Sequence, residues 1–128
     1  HISKEGAIFF LREAQRVLKI GGVLRVAVPD LRIAINDYLA KEDADSFMRR
    51  IQVEAQPINK LKDKFKLFVT GYRHHQWMYD GKSLSLLMKN SGLRNVKVYK
   101  KGETSIQNPK GLDLCERSEE SVYVEAIK

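Results

Sequence analysis

The stretch "RVLKIGGVLRVAVPD", residues 16–30, constrains the fold more than any other part of the chain. Its first residues read as the end of a helix. Gly21-Gly22 stop it, because the left-handed backbone of a helix end costs least at glycine. "VLRVAV" is short, β-branched and almost continuously apolar. Such a run suits a strand covered on both faces, as in a parallel sheet. Arg25 interrupts it and must escape at an edge or find a partner. Pro29 lacks an N–H and is expected to stop the ladder. Asp30 stands where it can cap the next helix. This is half of an α/β layer.

The neighbouring segments extend that layer. Ser3 is placed to cap a helix running to about Lys19, with Ala7, Phe10, Leu11, Ala14, Val17 and Leu18 on one face. After Asp30, a helix carries Leu31, Ala34, Ile35, Tyr38 and Leu39 on one side. Residues 42–76 read as a helical insertion. Phe47, Met48, Ile51 and Ala55 form one apolar stripe, Pro57 breaks it, and Ile58, Leu61, Phe65 and Phe68 form a second. Asp80 then caps a helix with Leu84, Leu87 and Met88 facing inward, and Gly92 ends it. "NVKVY" is a strand whose Lys97 suits an exposed edge. Residues 101–118 are a long polar loop, and "SVYVEAIK" closes the chain as a strand. The last two strands have no helix between them, so an antiparallel pair added to a parallel-type strand is expected. The expected fold is α/β: a three-stranded mixed sheet with flanking helices.

The 128 residues allow one domain. Apolar content of 43 % and charged content of 30 % fit a soluble globular protein. The single cysteine, Cys115, excludes an internal disulfide and favours a reducing, cytoplasmic setting. No apolar run is long enough for a membrane span. The net charge of +7 fits a solvated basic surface, and equally an anionic partner. The opening "HISKEGAIFF" has no initiator Met, and the expectation is a chain cut at its front.

"FLREAQRVLKIGGVLRVAVPDL" resembles a segment of class I S-adenosylmethionine-dependent methyltransferases, from the helix after strand four through strand five. "YDGKSLSLLMKNSGLRNVKVY" resembles the following helix and strand six, and "SVYVEAIK" strand seven. His1-Ile2 is similar to the tail of the motif that ends strand four. Ile20 departs from the family's usual proline. "VPDL" and "HHQW-x-YD" are closest to a group of small methyltransferases of uncertain substrate. The resemblance implies the C-terminal half of a Rossmann-like methyltransferase fold. It also implies that strand five pairs with strand four on one side and strand seven on the other. The Gly-rich turn and ribose-binding acid that hold the cofactor in this family are absent. Residues 1–128 are thus expected to be a truncated domain lacking the cofactor half, inactive alone and not expected to bind S-adenosylmethionine.

In open α/β sheets ligands lie beyond the carboxyl ends of the strands. That puts Asp30 and Arg32 at a site rim. Asp30 is a helix cap, a substrate contact or a base, and the roles are compatible. His74 and His75 are candidate bases near neutral pH. Arg73, His74, Trp77 and Tyr79 are candidate substrate contacts, although Trp77 and Tyr79 equally anchor the insertion to the core. His1 is a candidate contact at the cofactor rim. No metal set is expected, because too few Cys and His remain to complete a zinc shell. Cys115 has no His partner nearby in sequence. Arg49, Arg50, Lys60, Lys62, Lys64, Lys66 and Arg73 give the insertion a basic tilt, which fits an anionic acceptor or a solvated face.

Two further readings stand beside the methyltransferase. One is a non-catalytic basic α/β module that binds RNA or another anionic partner; for RNA only Tyr99 and Tyr123 are candidate stacking residues. The other is a catalytically dead relative used as a scaffold. An absent strand four would leave residues 23–28 with an open apolar edge, and self-association through it is expected.

Overall fold

The computed structural model describes residues 3–51 and 77–128. Within them the order is α1 (Lys4–Val17), β1 (Val23–Pro29), α2 (Leu31–Lys41), α3 (Ala44–Ile51), α4 (Gly81–Asn90), β2 (Arg94–Tyr99) and β3 (Ser121–Ile127). The helix starts follow local chemistry. The Ser3 hydroxyl accepts from the Gly6 N–H at 3.0 Å, and the Asp30 carboxylate accepts from the Arg32 N–H at 2.9 Å. Asp80 and Ser83 form a reciprocal capping box. The Ser83 N–H donates to Asp80 Oδ1 at 2.7 Å, and the Asp80 N–H donates to Ser83 Oγ at 3.0 Å. These bonds, with Arg32 nearby, hold the Asp80 carboxyl below the usual carboxylate range. Asp80→Ala is expected to cost about 1 kcal/mol, measured as a lower denaturant midpoint at unchanged slope.

The sheet order is β1-β3-β2, and both pairings are antiparallel. The mixed sheet expected from the sequence is therefore corrected. β1 is not in a parallel pair, and β3 is the central strand between β1 and β2. The physical reason lies in β3, where Ser121 to Ala126 are all buried. A strand covered on both faces needs neighbours along both edges. β2 suits an outer position, because Arg94 and Lys97 are exposed and a bulge between them breaks the register. That bulge, with Asn95 at φ 51°, also breaks the expected alternation, so Val98 is exposed while Val96 is half-buried.

Pro29 does not end the pairing as expected. It sits opposite Ser121, and the Asp30 N–H donates to the Glu120 carbonyl at 2.7 Å. Residues of an antiparallel strand alternate in the side to which their N–H and C=O point. With Asp30 directed at β3, the missing N–H of Pro29 falls on the outer edge of β1, where β3 needs nothing from it.

One face of the sheet carries the core. Leu11 of α1, Leu84 and Met88 of α4, and Leu93 pack with Val122, Val124 and Ala126. The apolar stripes on the helices are only partly used. Ala7 and Leu11 are buried, whereas Phe10 and Val17 are exposed; on α2 only Ala34 is buried, and Ile35 and Leu39 are exposed. No described element covers those sides. The other face is closed by the loop after β2 instead of a helix. Glu125, 2 % exposed, receives Arg25 Nη1 at 2.7 Å, the Thr104 hydroxyl at 2.6 Å and the Ser105 N–H at 2.8 Å. Arg25 donates onward to the carbonyls of Glu103 and Leu114, and its guanidinium lies 4.8 Å from the Tyr123 ring centroid. The partner that Arg25 required is thus a carboxylate on the central strand, and the pair latches the loop to the sheet.

α3 is the described part of the expected insertion. It packs on α2, with the Tyr38 and Phe47 rings 5.3 Å apart. The remainder of the insertion, residues 52–76, lies outside the described residues.

Candidate functional site

The carboxyl end of β1 gathers most of the described candidates. The Leu31 N–H donates to the Tyr79 carbonyl at 2.9 Å, and Asp30 and Tyr79 form a parallel bridge. Residues 77–80 are thereby tied to the end of β1, and the Asp80 cap starts α4 immediately afterwards. Asp30 and Tyr79, 49 positions apart by number, are brought together. Arg32 is exposed in the first turn of α2, with its charge felt by Asp80. Trp77 is 47 % exposed, and the Lys4 ammonium lies 4.9 Å from its ring centroid. The other candidates, His1, Arg73, His74 and His75, lie outside the described residues.

Two recesses flank this junction. An apolar cavity of about 120 Å³ is bounded by Phe10 and Leu11 of α1, Val26 and Val28 of β1, and Trp77 and Tyr79. The Tyr79 phenol oxygen is buried and has no hydrogen-bond partner among the described residues. Burial, then the nearby Glu5 carboxylate, push its pKa upward, so it stays a neutral donor. The second recess is smaller, about 30 Å³, and polar. Asp30, Glu120, Arg50 and Arg117 line it, and Pro29 and Met78 belong to both recesses. Arg50 is held by Asp37 at 3.1 Å and donates to the Glu119 carbonyl at 3.3 Å. Lys41 first, and Arg50 with it, keep the Asp37 carboxyl low. Arg117 faces Glu120 at 3.6 Å.

Asp30 is engaged as the cap of α2, so the structural role is filled; its second carboxylate oxygen leaves a substrate contact open. Both Trp77 and Tyr79 line the apolar cavity, but only Tyr79 packs against the core, so the anchoring reading fits Tyr79 and not the exposed Trp77. The residues that the sequence did not point to are Arg50 as a rim group, Arg117 and Glu120. They come from α3 and from the residues just before β3, and no local spacing links them to Asp30.

The described residues do not fit an S-adenosylmethionine cradle. Gly21 and Gly22 precede β1. Gly81 does open a helix, but a Cβ there would meet Val98 Cγ2 at 3.1 Å and Val122 Cγ2 at 3.3 Å. The space that a Cβ would take is filled by the sheet, so this glycine serves the close packing of α4 on β2 and β3. Among the described residues no group of three His, Cys, Asp or Glu side chains is placed to hold a metal ion. Cys115 is exposed. Of the two aromatics available for base stacking, Tyr123 is 2 % exposed, which removes that platform from the RNA reading. No described helix is long and apolar enough to cross a membrane. No family model, curated protein or solved structure matches the chain.

Proposed function

We propose that residues 1–128 are the C-terminal portion of a class I S-adenosylmethionine-dependent methyltransferase. They supply the acceptor-side wall of its active site, in a cytoplasmic enzyme. The observation that carries the reading is the strand order. The resemblance implies strand five beside strand seven, and β1 lies beside β3 although β2 intervenes in sequence. A second support is the position of the recesses at the carboxyl end of β1, where ligands of open α/β sheets lie.

On this reading Asp30 fixes the start of α2 and presents its other carboxylate oxygen, which has no partner among the described residues, to the acceptor side. Tyr79 and Trp77 shape the wall. His74, His75, Arg73 and Arg32 remain candidate acceptor contacts, and His1 a candidate at the cofactor rim. The cofactor belongs to residues beyond this chain, so no chemical step is assigned here. The outer edge of β1 is where strand four pairs in the longer protein. No described strand pairs with residues 23–28 on that side, which leaves this stretch for a second copy of the chain in residues 1–128 alone.

Calorimetry tests the reading. S-adenosylmethionine titrated into residues 1–128 should give a flat trace. Three or four polar contacts are missing, each contributing on the order of 1.5–3 kcal/mol when charged groups are involved. That moves a micromolar site beyond about a millimolar one. The polypeptide extended by the residues encoded before His1 should bind and, supplied with an acceptor, transfer the methyl group. Tight binding by residues 1–128, or none by the extended chain, overturns the proposal.

A further inference from the structure

The positive charge of the chain is concentrated in one place. Residues 81–102 form α4, the turn after it, β2 and the start of the following loop, and they hold six lysines and arginines and no aspartate or glutamate. Six of the chain's 23 basic side chains lie there, which leaves 17 against 16 acidic ones everywhere else. This one helix–strand hairpin therefore carries nearly all of the net charge of +7. Lys82, Lys89, Arg94 and Lys97 are exposed, and none has an ion-pair partner among the described residues. Lys100 and Lys101 are exposed at the far end, where Glu119 reaches Lys101 at 3.3 Å.

Guarding the edge of β2 does not account for the run. Arg94 and Lys97 on the strand itself do that, whereas Lys82 and Lys89 stand on α4, opposite the buried Leu84 and Met88, where there is no strand edge to guard. Soluble surfaces ordinarily intersperse both signs of charge, and a field of one sign draws in partners of the other. The cations also flank β2 on both sides. Lys97 pairs opposite Glu125, on the face closed by the loop, while Val96 and Val98 turn toward the core and α4.

We propose that the α4–β2 hairpin is a docking surface for a single-stranded nucleic acid, held through its phosphodiester backbone without regard to base sequence. Charge complementarity selects a polyanion. Cations on both flanks of the strand select a flexible one, because a flat anionic bilayer meets one flank at a time. Lysine predominates, and it grips phosphate as a mobile point charge, whereas protein–protein interfaces are depleted in it. The ring of Tyr99 lies under the Lys97 ammonium, 5.2 Å from its centroid, so base stacking adds no preference here. The proposal rests on this surface alone and holds whether or not the chain belongs to a methyltransferase.

Fluorescence anisotropy tests it, with residues 1–128 titrated into labelled oligouridylate and oligothymidylate of about 20 nucleotides, longer than the site of a single binding domain. Both should bind with similar affinity. Four phosphates engaged by Lys82, Lys89, Arg94 and Lys97 give log K a slope of about −2.8 against log salt, so affinity should fall about fiftyfold between 50 and 200 mM. Lys82→Gln/Lys89→Gln and Arg94→Gln/Lys97→Gln should each weaken binding and reduce the slope to about −1.4, and the four substitutions together should abolish binding. Arg12→Gln/Arg49→Gln removes the same charge from exposed positions on α1 and α3 and should leave the slope unchanged. If the fourfold variant loses its native circular dichroism, the paired variants decide alone. No saturable binding of either oligonucleotide at 50 mM salt overturns the proposal. So does a slope that ignores the hairpin substitutions, or a loss as large in Arg12→Gln/Arg49→Gln. Tighter binding through the same four residues to phosphatidylserine vesicles or to polyglutamate also overturns it, because the partner is then a membrane or an acidic protein.

Discussion

Glu125→Ala is expected to remove about 3–5 kcal/mol of stability, the usual cost of breaking a buried ion pair from one side. A domain of this size has on the order of 5–15 kcal/mol in total, so the variant should stand near the edge of folding in urea titrations. Both carboxylate oxygens are in use. Oε1 accepts from Arg25 and Thr104, and Oε2 accepts from the Ser105 N–H and hydroxyl. Alanine would leave the Arg25 charge, with a side chain 11 % exposed, without its counter-ion. It would also free the loop that closes this face of the sheet. Amide exchange at residues 103–106 should therefore accelerate beyond what global destabilisation explains. Glu125→Gln keeps the shape and should cost less. The pH dependence has a definite sign. Burial pushes the Glu125 carboxyl up, but the bonds from Ser105, Thr104 and Arg25 together outweigh it and hold the pKa below the ordinary value. A depressed carboxylate contributes its full stabilisation above the unfolded value of about 4.3. That contribution is lost as pH falls through the folded value. The gap between wild type and Glu125→Ala should be constant near neutrality and shrink in acid. A cost under about 1 kcal/mol at pH 7 would mean that the loop is held by other contacts.

The elements that the sequence revealed are those with local causes. Ser3, Asp30 and Asp80 act within three residues of themselves, and Leu84 and Met88 are one helical turn apart on a buried face. Strand neighbours have no such signal. Alternation in "SVYVEAIK" tells which side chains share a face, whereas the central place of β3 follows from burial along both faces, and burial is a property of the assembled sheet. The Arg25–Glu125 pair spans 100 positions. Its one sequence signature is that each residue is a lone charge inside an otherwise apolar strand, of opposite sign to the other. Amphipathic spacing overstated the core at Phe10, Val17, Ile35 and Leu39, because a stripe records a side suited to cover and not the presence of a covering element. The candidate site was legible where its parts are motif-like, as at Asp30 and Tyr79. Arg50, Arg117 and Glu120 reach the same recess through tertiary packing alone.

Ala27→Pro is expected to convert a self-associating chain into a monomer without unfolding it. The two outer edges of the sheet differ. β2 exposes Arg94 and Lys97 and is bent by a bulge, two devices that discourage pairing with another chain. β1 has neither, since its one charge, Arg25, is turned inward to Glu125. Alternation from the Asp30–Glu120 bond sends the N–H groups of Leu24, Val26 and Val28 to β3 and those of Val23, Arg25 and Ala27 to the outer edge, which no described strand pairs. A second β1, antiparallel across a twofold axis, would meet those donors with its own carbonyls and place Val26 opposite Val26 of the partner subunit. Proline at 27 deletes a donor from this seam and sets its ring against the incoming strand, while every bond to β3 remains. Edge strands tolerate proline on the solvent side, and Ala27 is the exposed residue of the strand. Sedimentation should show dimers of the wild-type chain at tens to hundreds of micromolar and monomers of the variant, both with native circular dichroism. Val26→Pro removes a bond to β3 and should instead unfold the domain. A wild-type chain that stays monomeric at those concentrations, or an Ala27→Pro chain that dimerises as well as wild type, would show that the edge of β1 is not the contact.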